Sequence, residues 1–258
     1  MISCNLQGGL GNQLFEIAAA HSLALRNGDI SGFDLDACHT PLQGFTSNKY
    51  KDSILSKVLN TPHNANEIYH EPDFNHIEIP YEENLKLIGG FQSEKYFEDY
   101  KEQIIDLFPI NNENVKDFIG EIKKKELPIT SLHVRRGDYL YLPNQFKPCT
   151  TEYYINAITF LIDIIGISNI IVISDDINWC KENIMGDNII YSPFVDELDD
   201  LALMSECDNN IISNSSFAWW GAYLNKNPNK KVIAPKEWFG SDGPRNEQDL
   251  VPESWVKI

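Results

Sequence analysis

Two adjacent arginines near the middle of the chain offer the clearest chemistry. The segment "SLHVRRGDYL" (131–140) begins as an apolar strand, and Arg135 and Arg136 follow at its end. Two guanidinium groups this close repel each other unless an anion lies beside them. One arginine can hold a phosphate through two parallel hydrogen bonds. The pattern therefore predicts an anion site, and the alternative is a surface ion pair between the arginines and Asp138.

Polar residues also follow two other predicted strands. Asp175 and Asp176 come after "NIIVIS", and Asn214 comes after "NNIIS" at the start of a helix. Free backbone amides at a helix start suit a phosphate or a ribose. The two aspartates could accept hydrogen bonds from a ribose or a base, or one of them could cap the next helix. Because ligands of parallel sheets bind beyond the carboxyl ends of strands, we expect a single site.

A glycine-rich turn near the start provides a second possible anion site. In "QGGLGNQ" (7–13), Gly9 and Gly11 let backbone amides approach an anion where a helix begins. They fit the first two positions of the dinucleotide fingerprint, but Leu14 occupies the third. An NAD(P)-dependent oxidoreductase is therefore one alternative, and a tight turn without a ligand is another.

An acidic pair, Asp34 and Asp36, ends the next predicted strand. Its spacing is found in metal-binding pairs of sugar-nucleotide transferases. No other cluster of ligands accompanies it, so we interpret it as solvated acids and predict no metal site.

The elements that would position these residues alternate clearly in the second half of the chain. Strands that are almost entirely apolar alternate with amphipathic helices, which indicates a parallel sheet covered on both faces. We predict strands in 129–135, 169–175, 188–191, 209–214 and 230–235, with helices at 151–165, 176–184, 196–207 and 215–225. The first half is predicted to contain strands at 1–6, 29–36 and 85–91, helices at 13–28 and 93–108, and loops with short helices over 38–80. The domain boundary is expected near residue 126.

The overall composition limits the class of protein. A chain of 258 residues suits two domains. Its net charge of −17 disfavours nucleic acid and anionic membranes as partners. Five scattered cysteines suggest reduced thiols. Since neither a signal peptide nor a membrane span is evident, we expect a cytoplasmic protein, soluble or loosely associated with a membrane surface.

Taken together, the motifs resemble glycosyltransferase family 11, the α-1,2-fucosyltransferases of the bacterial and viral type. The similarity extends over nearly the whole chain. The motifs occur in the family's order: "GGLGNQLFEIAAAHSLA", "GGFQSEKYFED", "HVRRGDY", "ISDD" and "SNSSFAWWGAYL". The arginine pair and the Ser-Asn-Ser-Ser motif are the specific elements of this pattern.

The resemblance implies an α/β fold of the GT-B class, with two Rossmann-like domains whose parallel sheets face each other across a cleft. Residues 1–125 would form the acceptor-side domain with the glycine loop, and 126–258 the domain that binds GDP-fucose without metal or another cofactor. By motif, Arg135 would hold the β-phosphate, with His133 beside it, and Asp200 would recognise guanine, with Asp199 as the rival position. The implied donor-binding residues are Gly9, Gly11, Asn12, His133, Arg135, Arg136, Asp175, Asp176, Asp200, Asn214, Ser215, Ser216 and Phe217.

The function implied is transfer of L-fucose, with inversion, from GDP-fucose to the 2-hydroxyl of a β-galactoside in a glycan. Arg135 and Asp138 are the predicted catalytic residues. The acceptor hydroxyl also needs a base, and Glu16 and Glu94 remain alternatives to Asp138. A non-catalytic sugar- or nucleotide-binding protein is a further alternative to the enzyme.

Overall fold

The computed structural model describes residues 1–37 and 45–258, which divide into two compact units. Unit 1 contains Met1–Ile110 and Arg245–Pro252, and unit 2 contains Asn111–Pro244 and Glu253–Ile258. The division differs from the boundary expected near residue 126. The reason is a helix over Glu113–Lys123, for which no helix was predicted, and which packs within unit 2. In that packing the Phe118 ring lies edge-on to the Phe194 ring, with 5.6 Å between centroids.

Unit 1 is built on a parallel sheet. Its strands are β1 (Ser3–Cys4), β2 (Glu67–His70) and β3 (Leu85–Ile88), in the order β1-β3-β2. The strand predicted over 29–36 is reduced to isolated bridges, Ile2 with Ser31 and Phe33 with Asn60. Strand β2 was missed because most of its side chains are exposed, so it carries little apolar alternation. The predicted loop region contains it, although residues 38–44 lie outside the described part of the chain.

Helix α1 (Leu10–Arg26) follows the glycine turn and begins three residues earlier than predicted. Gly9 is its N-cap in an extended conformation, and Gly8 has a φ of +72°, which favours glycine. The helix predicted over 93–108 is instead two short 3₁₀ turns, Glu94–Tyr96 and Glu98–Tyr100, followed by α2 (Lys101–Leu107). Ser93 caps the first turn by accepting a hydrogen bond from the Lys95 amide at 3.3 Å.

Unit 2 has the predicted alternation of strands and helices. Its elements are α3 (Glu113–Lys123), β4 (Ile129–Val134), α4 (Thr151–Ile165), β5 (Asn169–Ser174), α5 (Ile177–Asn183), β6 (Ile189–Tyr191), α6 (Glu197–Glu206), β7 (Asn209–Ile211), α7 (Ser216–Tyr223), β8 (Val232–Ala234) and β9 (Val256–Lys257). The sheet is parallel throughout, in the order β6-β5-β4-β7-β8-β9. The α/β prediction with a parallel sheet is confirmed.

The order of the strands creates a switch point between β4 and β7. From β4 the chain proceeds outward through β5 to β6, and it then returns to the other side of β4 as β7. Helices and loops on the two sides of such a point diverge, which leaves room for a ligand at the carboxyl edge of the sheet. The residues that follow β4, β5 and β7 meet at this edge.

Apolar packing fixes the sheet of unit 2. Leu132, Val134, Val172 and Ile211 are fully buried in one cluster with Tyr154 of α4. The tryptophan pair Trp219 and Trp220 of α7 is also fully buried, so both rings pack the helix into the core. Within the described residues, no helix is long and apolar enough to cross a bilayer. Cys4, Cys149, Cys180 and Cys207 are free thiols, and Cys38 lies outside the described part.

Candidate active site

Arg135 leaves the end of β4 and lies between two carboxylates. Its Nη2 is 2.5 Å from Asp138 Oδ1, and its Nη1 is 2.9 Å from Asp175 Oδ2. The guanidinium carbon lies 5.3 Å from the centre of the Tyr139 ring. Asp138 follows on the same loop, whereas Asp175 comes from the end of β5. The alternative ion pair with Asp138 is therefore present, and each terminal nitrogen of Arg135 has a carboxylate partner.

Arg136 points to a different set of partners. Its Nε donates to Asp176 Oδ2 at 3.1 Å, and its guanidinium carbon lies 3.9 Å from the Trp179 ring centre. Asp176 also caps α5, since its Oδ1 accepts from the Trp179 amide at 3.2 Å. The capping alternative is therefore correct for Asp176. Arg136 thus joins the end of β4 to the first turn of α5.

Asp175 joins the two arginines. Its Oδ1 accepts from the backbone amide of Arg136 at 2.9 Å, while its Oδ2 binds Arg135. Gly137 makes this contact possible, because a Cβ at that position would lie 2.6 Å from Asp175 Oδ2. Two guanidinium groups thus share three carboxylates, those of Asp138, Asp175 and Asp176.

His133 is a buried residue of β4, just before the two arginines. Its Nδ1 is 2.8 Å from Ser213 Oγ, across the β4–β7 switch point, and its ring centroid lies 5.7 Å from that of Phe217. Burial, together with the positive charge of Arg135, lowers the pKa of His133 to about 3. The imidazole is therefore neutral at physiological pH, and it joins β4 to the loop that precedes α7.

Asn214 is a structural residue of that loop. Its Nδ2 donates to the carbonyl oxygens of Lys147 at 2.8 Å and Trp238 at 2.7 Å. Its own carbonyl accepts from the Tyr139 hydroxyl at 3.0 Å. The side chain is fully buried. Its polar groups hold three loops together, which leaves the predicted donor contact of its side chain without support in the geometry.

The start of α7 brings the remaining predicted group to the same edge. Ser215 is the N-cap and is buried, while Ser216 and Phe217 are half-buried in the first turn. The described contacts include no hydrogen bond from the Ser215 side chain to the helix it caps. The start of α7 follows β7, the strand that neighbours β4, and therefore lies at the same edge of the sheet as His133 and Arg135.

The acidic residues of α6 lie in the same unit. Asp200 accepts a hydrogen bond from the Ser192 hydroxyl at 3.0 Å. Burial, reinforced by Asp199, Asp196 and Glu197, raises the pKa of Asp200 to about 7. Asp199 accepts instead from the Asn112 side chain, which ties α6 to α3. Asp199 thus has a structural partner, and Asp200 is the less constrained of the two.

In unit 1 the glycine loop is held by hydrogen bonds from neighbouring side chains. The buried Gln13 side chain donates to Gly8 O at 2.9 Å, and Asn12 Oδ1 accepts from Gln92 Nε2 at 3.1 Å. Glu16 accepts from the Gln7 amide at 2.9 Å and is completely buried, and burial holds the pKa of its carboxyl well above the usual range. A buried carboxyl of this kind supports a loop, so we remove Glu16 from the candidate bases.

One member of the possible metal pair, Asp36, is bound by other groups of the protein. Asp36 Oδ1 lies 2.9 Å from Lys51 Nζ, and its Oδ2 accepts from Asn60 at 2.8 Å. Hydrogen bonds from Lys51 and Asn60 lower the pKa of Asp36. Over residues 1–37 and 45–258, no group of three or more His, Cys, Asp or Glu could hold a metal ion. Metal independence stays a prediction.

Sequence reasoning missed three residues of this site. Gly137 makes room for Asp175, Tyr139 connects the arginine loop to Asn214, and Trp179 stacks on Arg136. Tyr139 and Gly137 were visible inside the "RRGDY" motif, but their partners come from distant parts of the chain. Trp179 carried no signal, because a tryptophan in an amphipathic helix is ordinarily a packing residue.

Comparison with known proteins agrees with this architecture. The profile of glycosyl transferase family 11 matches residues 1–258. The chain is 30% identical over 307 residues to the O-antigen biosynthesis glycosyltransferase WbnK of Escherichia coli, and this alignment covers 100% of both chains. It is 30% identical over 289 residues to an alpha-1,2-colitosyltransferase of Escherichia coli, covering 100% of this chain and 99% of that one. Galactoside alpha-(1,2)-fucosyltransferase 2 of Oryctolagus cuniculus is 25% identical over 244 residues, covering 87% of this chain and 67% of that one.

Solved structures show the same fold. The fucosyltransferase NodZ from Bradyrhizobium superposes with a TM-score of 0.52 at 15% identity, covering 85% of this chain and 91% of that one. The structure of NodZ soaked with GDP-fucose superposes with a TM-score of 0.51 at 14% identity, covering 86% of this chain and 91% of that one. The fold class is GT-B-like α/β, as the resemblance implied. With a match over its whole length and two full-length relatives at 30% identity, this chain belongs to glycosyltransferase family 11.

Proposed function

We propose that the protein transfers L-fucose from GDP-fucose to the 2-hydroxyl of a β-galactoside, with inversion at fucose C1. The observation that carries the proposal is the meeting of Arg135, Asp175 and the α7 N-terminus at the β4–β7 switch point. A guanidinium and a helix N-terminus at one sheet edge suit a diphosphate. Family membership removes the oxidoreductase alternative, and the name of the Oryctolagus relative supports galactose as the acceptor.

The charge balance determines how a diphosphate would be accommodated. Both terminal nitrogens of Arg135 have carboxylate partners, so a phosphate must share or replace one of them. We expect sharing, because a guanidinium has five N–H donors and can bind an oxygen of the phosphate while Asp138 and Asp175 keep their contacts. As the bond from fucose C1 to the β-phosphate oxygen breaks, its electron pair passes to that oxygen. Arg135 and the α7 amides then stabilise the new charge.

Asp138 has a different role in this scheme from the one the sequence predicted. In an inverting transfer the acceptor oxygen attacks from the face opposite the leaving group, so its base lies on that face as well. A carboxylate 2.5 Å from the arginine that would hold the leaving group lies on the wrong side for this task. We infer that Asp138 orients Arg135. Of the predicted bases, Glu94 remains as the alternative that would accept the hydroxyl proton.

Guanine recognition is assigned to Asp200. An ionised carboxylate can accept from both the N1–H and the 2-amino group of guanine, and adenine offers no such pair. Among the described residues, the Asp200 carboxylate accepts from the Ser192 hydroxyl, which a ligand can replace, whereas Asp199 is tied to Asn112. The acceptor-side role of residues 1–125 and the donor-binding role of Gly9, Gly11 and Asn12 stay predictions.

A second donor is favoured by one finding, the full-length match at 30% identity to an alpha-1,2-colitosyltransferase. Colitose is fucose without its 3-hydroxyl. The two donors would therefore share every contact to GDP, and they would differ at a single hydroxyl of the sugar.

The test is a transfer assay with GDP-fucose and GDP-colitose, each with lactose as the acceptor and EDTA present throughout. We expect fucosyl transfer to the galactose 2-hydroxyl, established by NMR of the product, and an unchanged rate in Asp36→Asn. Preference for GDP-colitose would favour the second donor. Activity lost in EDTA and restored by Mg²⁺ or Mn²⁺ would overturn the metal-free scheme, and GDP binding without any transfer would leave a nucleotide-binding protein.

A further inference from the structure

The buried pair of Ser213 and His133 joins the two strands that flank the switch point. Ser213 follows β7 and is fully buried, and its Oγ lies 2.8 Å from His133 Nδ1. Its main chain is fixed, because Ser213 O accepts from the Ser215 amide at 2.8 Å and the preceding Ile212 amide donates to β8 at 2.9 Å. The hydroxyl is therefore held against one nitrogen of the imidazole.

The burial of this hydroxyl determines which ring nitrogen carries the proton. In the described part of the chain, His133 Nδ1 is the only hydrogen-bond partner of Ser213 Oγ. A fully buried hydroxyl without an acceptor is costly, so Ser213 must donate its hydrogen and Nδ1 must accept it. The imidazole is neutral, since burial and Arg135 lower the pKa of His133 to about 3. A neutral imidazole has one N–H, which the hydrogen bond from Ser213 places on Nε2.

The Nε2–H of His133 is a donor that the described residues leave without an acceptor. The residue is only 5% exposed, and no side chain or main-chain carbonyl of residues 1–37 and 45–258 accepts from Nε2. Buried polar groups almost always have a hydrogen-bond partner. The missing partner of this nitrogen is one that a ligand can supply.

The imidazole lies beside the groups of the candidate active site. His133 and Arg135 are two positions apart at the end of an extended strand, which places both side chains on one face of the sheet. The centroid of the His133 ring lies 5.7 Å from that of Phe217, which belongs to the first turn of α7. A ligand that binds both Arg135 and the start of α7 would therefore pass the histidine ring.

We propose that Ser213 is a positioning residue that fixes His133 as the Nε2–H tautomer, and that this N–H donates to a phosphate oxygen of GDP. The inference rests on the proposed binding of GDP. A neutral donor suits this place, because a second positive charge beside Arg135 would be repelled. The guanidinium supplies charge to the diphosphate, and the imidazole adds a directed hydrogen bond.

Isotope-edited NMR of the histidine ring nitrogens tests the tautomer in the wild type. The His133 signals are assigned by their absence in His133→Gln. We expect the proton on Nε2, and we expect the Nε2 signal to shift with GDP and with inorganic pyrophosphate but not with guanosine. A proton on Nδ1 would overturn the proposal. A shift with guanosine and none with pyrophosphate would overturn the phosphate contact.

Calorimetry of GDP binding tests whether Ser213 acts through the histidine. One hydrogen bond is lost in Ser213→Ala, so the Kd of GDP should rise by about twofold to tenfold. In the His133→Gln background the same change should have no further effect, because the ring on which Ser213 acts is already absent. Additive losses, or an unchanged Kd in Ser213→Ala, would contradict the proposed role.

Ser168→Ala is the matched control. Ser168 is 2% exposed, its Oγ lies 2.8 Å from Thr130 Oγ, and it directly precedes β5 at the amino edge of the sheet. Its loss should leave the Kd of GDP and the His133 tautomer unchanged, and equal weakening by both serine variants would overturn the proposal. A wild type that binds no GDP would refute the proposed nucleotide site itself. The tautomer measured without ligand would still test the role of Ser213, so the two failures are distinguishable.

Discussion

At the level of single residues, the pairing of Asp138 with Arg135 separates two roles for this carboxylate. If Asp138 orients the guanidinium, Asp138→Asn should weaken GDP binding and turnover together, each by about tenfold. A lost general base would instead lower kcat by about 100-fold or more with GDP affinity intact. Calorimetry and kcat measured on the same preparation distinguish the two patterns. We expect the first, and the second would restore Asp138 as the base.

The ionisation of Asp200 should make the affinity for GDP depend on pH. Its pKa of about 7 lies far above its ordinary value because the group is buried. Guanine needs the ionised carboxylate, so the affinity for GDP should rise roughly tenfold between pH 6 and pH 8 and level off above. Calorimetry at several pH values measures this rise. Asp200→Asn should bind GDP weakly at every pH and discriminate less against ADP, whereas a loss seen only in Asp199→Ala would shift the assignment by one residue.

The raised pKa of Asp200 also makes the stability of the folded protein decrease with pH. A carboxyl whose folded-state pKa is raised favours the folded protein at low pH, and this contribution is lost as pH rises from about 4 to about 7. Asp200→Asn carries no titrating group. The melting temperature of the variant should therefore exceed that of the wild type at pH 8 and approach it at pH 5.

At the level of elements, the loop between β4 and α4 holds the site together through a glycine. A methyl group at Gly137 would lie 2.6 Å from Asp175 Oδ2. Gly137→Ala should therefore displace Asp175 from Arg135 and weaken GDP binding by about tenfold. Gly120→Ala is the control, since no atom lies within 4 Å of a Cβ there and Gly120 is inside α3. It should raise the melting temperature and leave GDP binding unchanged; equal binding by both variants would contradict the role of Gly137.

Among the secondary-structure elements, those with a clear apolar pattern could be predicted from the sequence. The strands and helices from β4 to β8 followed from apolar runs separated by amphipathic segments, because both faces of a parallel sheet are buried. Strand β9 was missed because it has only two residues, Val256 and Lys257. Asp175 and Arg135 could be assigned to one sheet edge, but their ion pair depends on the neighbouring register of β4 and β5. No local pattern encodes that register.

At the level of the whole molecule, the charge of the chain disfavours the proposed donor. The net charge is −17, and the site itself has two guanidinium groups against three carboxylates. A long-range field would repel a nucleotide diphosphate. Affinity must therefore come from short, directed contacts, among which Arg135 is central. Arg135, Asp200 and the start of α7, to which these contacts with GDP are assigned, all belong to unit 2.

The most direct measurement is GDP binding by calorimetry in EDTA for the wild type, Arg135→Ala and Arg135→Lys. Removing one partner of a desolvated charge pair costs about 2–5 kcal/mol, so Arg135→Ala should weaken GDP by about 30-fold or more. Arg135→Lys should recover only part of the loss, since an ammonium cannot bind two oxygens in a planar fork. Lys181→Ala, which removes another exposed cation of unit 2, should bind normally. Near-normal GDP affinity in a folded Arg135→Ala variant would contradict the account.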